Sequence, residues 1–110
     1  MTVKELIEKM NLTVLAGDDA LDKAVDGCYC GDLLSWVMSR GKEGNVWITV
    51  MGNINSIAVA VLNDVSCIIL SEHAALNEDA KMRAQAENIP VLQSSRNTYE
   101  LAKEFSKIVA

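Results

Sequence analysis

Residues 45–70, NVWITVMGNINSIAVAVLNDVSCIIL, constrain this chain more than any other stretch. Two runs within it, 46–51 and 67–70, are apolar almost without interruption and rich in Val and Ile. A strand that meets the core on both faces needs that composition, whereas a strand with one wet face alternates. Between the runs, Gly52 and Asn53 give a turn and residues 54–62 a short apolar helix. A strand–helix–strand unit of this length crosses over right-handed and leaves its strands parallel. The turn after the first strand then lies at the carboxyl edge of the sheet, where open α/β folds take their ligands.

The rest of the chain continues the pattern. Thr2 reads as an N-cap with Glu5 as its reciprocal partner, and Val3, Leu6, Ile7 and Met10 form one helical stripe that Asn11 ends. Residues 12–15 read as a short strand, followed by a turn at Gly17, Asp18 and Asp19. Residues 20–25 fit either a loose helical turn or the lead-in to a strand. Residues 24–30 alternate in part and read as a strand. Gly31 and Asp32 make the next turn, with Asp32 as N-cap of a helix carrying Leu33, Leu34, Trp36, Val37 and Met38, and Gly41 stops that helix. After Leu70 come a loop at Ser71, Glu72 and His73, a helix capped by Asn77, a break at Pro90 and a strand at 91–93. Ser94, Ser95, Arg96 and Asn97 form the last loop. Thr98 is the expected cap of the final helix, whose stripe is Leu101, Phe105, Ile108 and Val109. The expected fold is a single α/β domain over residues 1–110, a three-layer sandwich with a mostly parallel central sheet of about four or five strands flanked by helices.

A formal charge of −5 excludes the clustered basic face that nucleic acid or an anionic membrane surface requires. No apolar run approaches the length of about 20 residues that spans a bilayer. The N-terminus mixes charges into a helical pattern and lacks a signal-peptide core, so a cytoplasmic location is expected. The three cysteines are an odd set without framework spacing, expected as reduced thiols.

Three segments carry a family resemblance. Residues 27–38, GCYCGDLLSWVM, resemble a G-x-Y-x-G-D-L-L-S element; the central stretch and ENIPVLQSSRNTYELAKEF follow in the same order. Together they look like a DRTGG domain, over about three-quarters of the chain from roughly Gly27 onward. The name-giving Asp-Arg-Thr-Gly-Gly would fall on Asn53, Ile54, Asn55, Ser56 and Ile57, and none of the five is kept. The Asn-containing variant looks like stand-alone members, which are similar to small proteins found with iron-only hydrogenases in anaerobes. Elsewhere the domain accompanies CBS pairs and phosphotransacetylases or resembles the N-terminal domain of HPr kinase. The resemblance implies a regulatory, ligand-sensing module rather than a catalytic one, with a hydrogenase-related protein as an alternative partner.

Several polar groups converge if the strands are parallel. Gly52 permits close approach to a ligand, the amides opening the next helix suit an anion, and Asn53, Asn55 and Ser56 add donors. The same turn also fits an ordinary strand–helix connection with Asn53 as cap. It is neither a dinucleotide fingerprint, with one glycine only, nor a P-loop. Gly31, Asp32, His73 and Arg96 would join it on one rim. Arg96 is the cation placed for a phosphate or carboxylate, or else a solvated loop charge. His73, the only histidine, would need Glu72 or Asp32 beside it to act as a base. Cys28, Cys30 and Cys67 do not have zinc-site spacing and read as packed thiols. Trp36, Trp47 and the methionines read as core or subunit interface, and an all-round apolar helix at 33–38 suits a homodimer. No catalytic residue, metal site or cofactor is expected. The reading is a regulatory domain for a small anionic metabolite or nucleotide.

Overall fold

A computed structural model describes residues 1–109. The elements run α1 (Val3–Met10), β1 (Thr13–Ala16), a 3-10 turn (Asp18–Ala20), β2 (Cys28–Cys30), α2 (Leu34–Arg40), β3 (Val46–Thr49), α3 (Ile54–Asn63), β4 (Cys67–Leu70), α4 (Glu78–Ala86), β5 (Val91–Gln93) and α5 (Thr98–Val109). The five strands form one sheet in the order β1-β5-β4-β3-β2. Strands β2 to β5 are mutually parallel and lie in chain order; β1 pairs antiparallel with β5 at the far edge.

That order settles the layers. Right-handed crossovers that always step the same way across a sheet put every connecting helix on one face. Accordingly Val37 of α2, Ile57 and Ala60 of α3, and Ala80 and Ala84 of α4 pack with Trp47, Ile68, Leu70 and Val91. The other face is left to the terminal helices. Val3, Leu6 and Met10 of α1 and Leu101 and Phe105 of α5 pack with Val46, Ile48, Cys67, Ile69 and Leu92. Successive residues of a strand point to opposite faces, so β3 and β4, covered on both, are buried at every position. The continuous apolar runs in the sequence reflect this two-sided burial.

The local signals hold in part. Thr2 and Glu5 form the reciprocal capping box, and Asn11 ends α1 in the left-handed conformation. The expected strand at 24–30 contracts to Cys28–Cys30. Residues 20–25 instead tie back to the N-terminus, with Val3 N–H donating to Lys23 O and Val25 N–H to Met1 O. Asn97, not Thr98, caps α5: its side chain accepts from the Glu100 amide while Glu100 accepts from the Asn97 amide. Thr98 Oγ1 pairs with Ser71 Oγ at 3.0 Å, so a neighbouring strand end has claimed it. Asn77 precedes α4 without capping it through its side chain. Trp47 is fully buried, but Trp36 stands 52% exposed, stacked under Arg40. No described helix is long and apolar enough to cross a membrane.

Gly17 carries the chain out of β1 with φ +73°, and a Cβ there would lie 2.1 Å from the Ile89 carbonyl oxygen. The left-handed cost and the overpacking together amount to about 3 kcal/mol. Gly17→Ala is therefore expected to lower the urea midpoint with an unchanged slope. An unchanged midpoint would show that this contact yields freely.

Candidate functional site

Because β2, β3, β4 and β5 are parallel, their carboxyl ends open on one edge. The segments leaving them carry Gly31 and Asp32, then Gly52 and Asn53 with Asn55 and Ser56 on the first turn of α3, then His73, then Arg96. Within that edge the residues divide into two groups.

The first group follows β2 and β3 and is largely bonded to itself. The expected N-cap role of Asp32 is not what it performs. Its Oδ1 accepts from Thr49 Oγ1 at 2.7 Å and from the Val50 amide at 3.0 Å. The helix starts two residues later, with Leu33 extended at its N-terminus and no side-chain cap. A buried hydroxyl without an acceptor costs more than an exposed uncapped helix end, so the carboxylate goes to Thr49. Gly31 is fixed through both backbone groups, its N–H to Ile48 O at 3.2 Å and its carbonyl from Trp47 Nε1 at 2.9 Å.

Gly52 allows close approach, but by its own chain. A Cβ there would lie 2.0 Å from the Ala75 carbonyl oxygen, and its carbonyl accepts from the Asn77 amide at 2.8 Å. Asn53 caps α3, accepting from the Ser56 amide at 3.0 Å. Ser56 is buried, so it offers nothing to solvent. Asn55 is exposed on the first turn of α3. The amides of Ile54 and Asn55 have no acceptor within the helix and lie at its positive end.

The second group follows β4 and β5. Helix α4 packs on one face of the sheet and α5 on the other, so the chain leaves these neighbouring strands in opposite directions. Such a divergence opens the crevice in which α/β sheets hold ligands. A cleft of about 500 Å³ lies here, with Thr13, His73, Ser94, Arg96 and Glu104 on its walls. Glu72 and His73 are both left-handed, with φ of 55° and 56°. Each costs about 1–2 kcal/mol for a residue with a side chain. Their amides hold the turn by donating to Arg96 O at 2.9 Å and Ser94 O at 2.8 Å.

Arg96 is not a solvated charge, because each of its guanidinium nitrogens has a partner within the chain. Its Nε donates to Ser94 Oγ at 3.0 Å. One terminal nitrogen pairs with Glu104, and the other donates to the carbonyl of Met10, the last residue of α1. A guanidinium suits the carbonyl-rich, negative end of a helix. Glu104 is the residue the sequence conceals, since no local spacing connects it to Arg96. Thr49, the partner of Asp32, is likewise visible only once β2 and β3 are side by side. Asp32 is engaged elsewhere and does not serve His73 as a base partner.

A family model for the DRTGG domain matches residues 5–108. The chain belongs to the DRTGG domain family. Its fold is similar to that of the CBS and DRTGG domains of the regulatory region of Clostridium perfringens pyrophosphatase, whose crystal structure is of the complex with an activator, diadenosine tetraphosphate. The TM-score is 0.72 at 10% identity, over 93% of this chain and 44% of the other, so the chain spans less than half of that region. No curated protein sequence matches it. In this DRTGG domain, positions 53–57, where the name-giving pentapeptide is expected, form the cap and first turn of α3.

Replacing Asp32 separates its structural roles. Asp32→Ala leaves the buried Thr49 hydroxyl without its acceptor and the exposed Val50 amide to solvent, and is expected to cost about 1–3 kcal/mol. Asp32→Asn keeps an acceptor oxygen and is expected to cost less than half of that. Equal losses in chemical denaturation would show that the charge, not the acceptor geometry, holds β2 to β3.

Proposed function

We propose that this chain is a regulatory domain without catalysis of its own, which binds a small anionic metabolite or nucleotide at the carboxyl edge of its sheet, in the cytoplasm. The observation that carries the reading is Arg96 held on the wall of the cleft by an exchangeable acid, Glu104. A phosphate entering the cleft can take the place of the Glu104 carboxylate on the guanidinium nitrogen it occupies, as a charge-assisted acceptor. His73 adds a donor on the facing loop, and the α3 N-terminus with Asn55 offers a second anchor for negative charge. Gly31, Asp32, Gly52, Asn53 and Ser56 serve in this reading by bracing the rim. The diadenosine tetraphosphate complex of the similar regulatory region supports a nucleotide as the ligand class.

Thermal unfolding with AMP, ADP, ATP, diadenosine tetraphosphate and inorganic phosphate tests the proposal. A ligand at about 100 times its Kd adds about 2.7 kcal/mol to stability, so at least one nucleotide should raise Tm by several degrees. Glu104→Gln is expected to tighten that binding several-fold by releasing Arg96. Arg96→Lys, which loses the fork, is expected to weaken it about tenfold. No shift with any of the five, or a shift indifferent to both variants, would defeat the assignment.

The exposed side chains of α2 favour a homodimer as the working form. Leu33 is 60% exposed and Trp36 52%, three positions apart and so on one side of the helix start; such apolar exposure marks contact surfaces. Sedimentation equilibrium should find a dimer for the wild type and a monomer for Trp36→Glu, with little change in monomer stability. The same face also fits the alternative reading, an adaptor for the hydrogenase-related partner that the family resemblance implies. A monomeric wild type that captures such a partner from an anaerobic host's extract, and loses it with Trp36→Glu, would favour the adaptor.

A further inference from the structure

Cys28 and Cys30 stand two apart on β2, so their side chains share one face of the strand. Their Sγ atoms are 3.9 Å apart, in thiol-to-thiol contact. Strand β2 is the sheet edge and is paired on one side only, with β3. Cys28 is half-buried against the α1–α5 layer, and Cys30 is exposed. Cys67 is fully buried and stays out of reach, because the register runs Cys28, Val46, Cys67 with Val46 between. Among the described residues no three metal-ligating side chains cluster, so the pair lacks the further protein ligands a structural metal needs.

We propose that Cys28 and Cys30 form a thiol–disulfide exchange site for low-molecular-weight disulfides, with Cys30 as the attacking thiolate and Cys28 as the resolving thiol. The proposal is independent of the ligand contacts assigned to the rim. Each sulfur has the surroundings its role demands. The Cys28 thiol donates to Cys30 and holds it down at about 7, against the opposing effects of burial and the Asp32 carboxylate. Cys28 itself is pushed up by that same hydrogen bond, by burial and by the neighbouring thiols Cys30 and Cys67. An exposed thiolate beside a protonated partner is the arrangement that attacks first and resolves second.

The step balances. The Cys30 thiolate attacks one sulfur of RS–SR, the S–S bond breaks, and RS⁻ leaves and takes up a proton. Cys28, giving up its proton, then attacks Cys30 Sγ of the mixed disulfide and expels the second RS⁻. The protein loses two hydrogens, and the small disulfide becomes two thiols. Cα atoms two apart on a strand lie about 6.6 Å from one another, at the wide end of the bridging range of about 4.4–6.8 Å. Bridging therefore tightens the pleat of β2, which its three residues and single neighbour permit. The resulting strain favours re-reduction.

The test uses the whole chain with oxidised glutathione at neutral pH, read by intact mass and by peptide mapping after alkylation. The wild type should lose two hydrogens within one chain, with Cys67 left free. Cys28→Ser should accumulate one glutathionyl group on Cys30, because the resolving thiol is gone. Cys30→Ser should react far more slowly. Iodoacetamide alkylation of Cys30 should be half-maximal near pH 7, about the value its surroundings set. Cys28→Ala should move that midpoint upward, toward the ordinary thiol range near about 8.5, while Cys28→Ser, still a donor, should largely keep it low. Equal mixed disulfide on wild type and Cys28→Ser, undiminished reaction of Cys30→Ser, or a bridge joining two chains would each overturn the assignment.

Discussion

Four parallel strands laid down in chain order leave little freedom in where their loops lie. Each right-handed crossover must return to the amino edge before the next strand begins, so every loop that leaves a strand's carboxyl end emerges on the same side. The three crossover helices then share one face, and the first and last helices are left to cover the other. Without that second cover, Val46, Ile48, Cys67 and Ile69 would face water. The antiparallel β1 and the bridge from Thr2 to Ala24 hold α1 in place over them.

The same constraint places the one crevice that strand order creates. Between β2 and β4 the chain always turns toward the same face, and the loops pack tightly on one another: Asp32 on Thr49, Gly52 on Ala75, Asn53 on Ser56. At β5 the chain turns the other way. The loops after β4 and β5 must part there, and what joins them is a left-handed pair of residues donating to Ser94 and Arg96, with side-chain bonds from Ser71 to Thr98 and from Gln93 to Ala74. The strained backbone and the cleft coincide because both come from that change of direction.

Charge follows the same economy. The chain is acidic overall, yet a cation sits at its cleft, and it is not left to solvent. Arg96 joins the end of α1, the β5 loop and α5 in one set of contacts.

The sequence by itself determined the layers, the parallel sheet and most element positions, because burial on both faces of β3 and β4 demands an unbroken apolar run and helix ends demand capping residues such as Thr2, Asn11 and Asn53. It also placed the polar loops along one edge, which follows from strand direction alone. Only the tertiary structure decided what those polar groups do. Asp32, Thr98 and Arg96 are each bonded to a residue at least eight positions away, chosen by strand register and helix placement. Local spacing carries no trace of such partners, so a residue that reads as a cap or a free charge in one dimension becomes a clasp between elements in three.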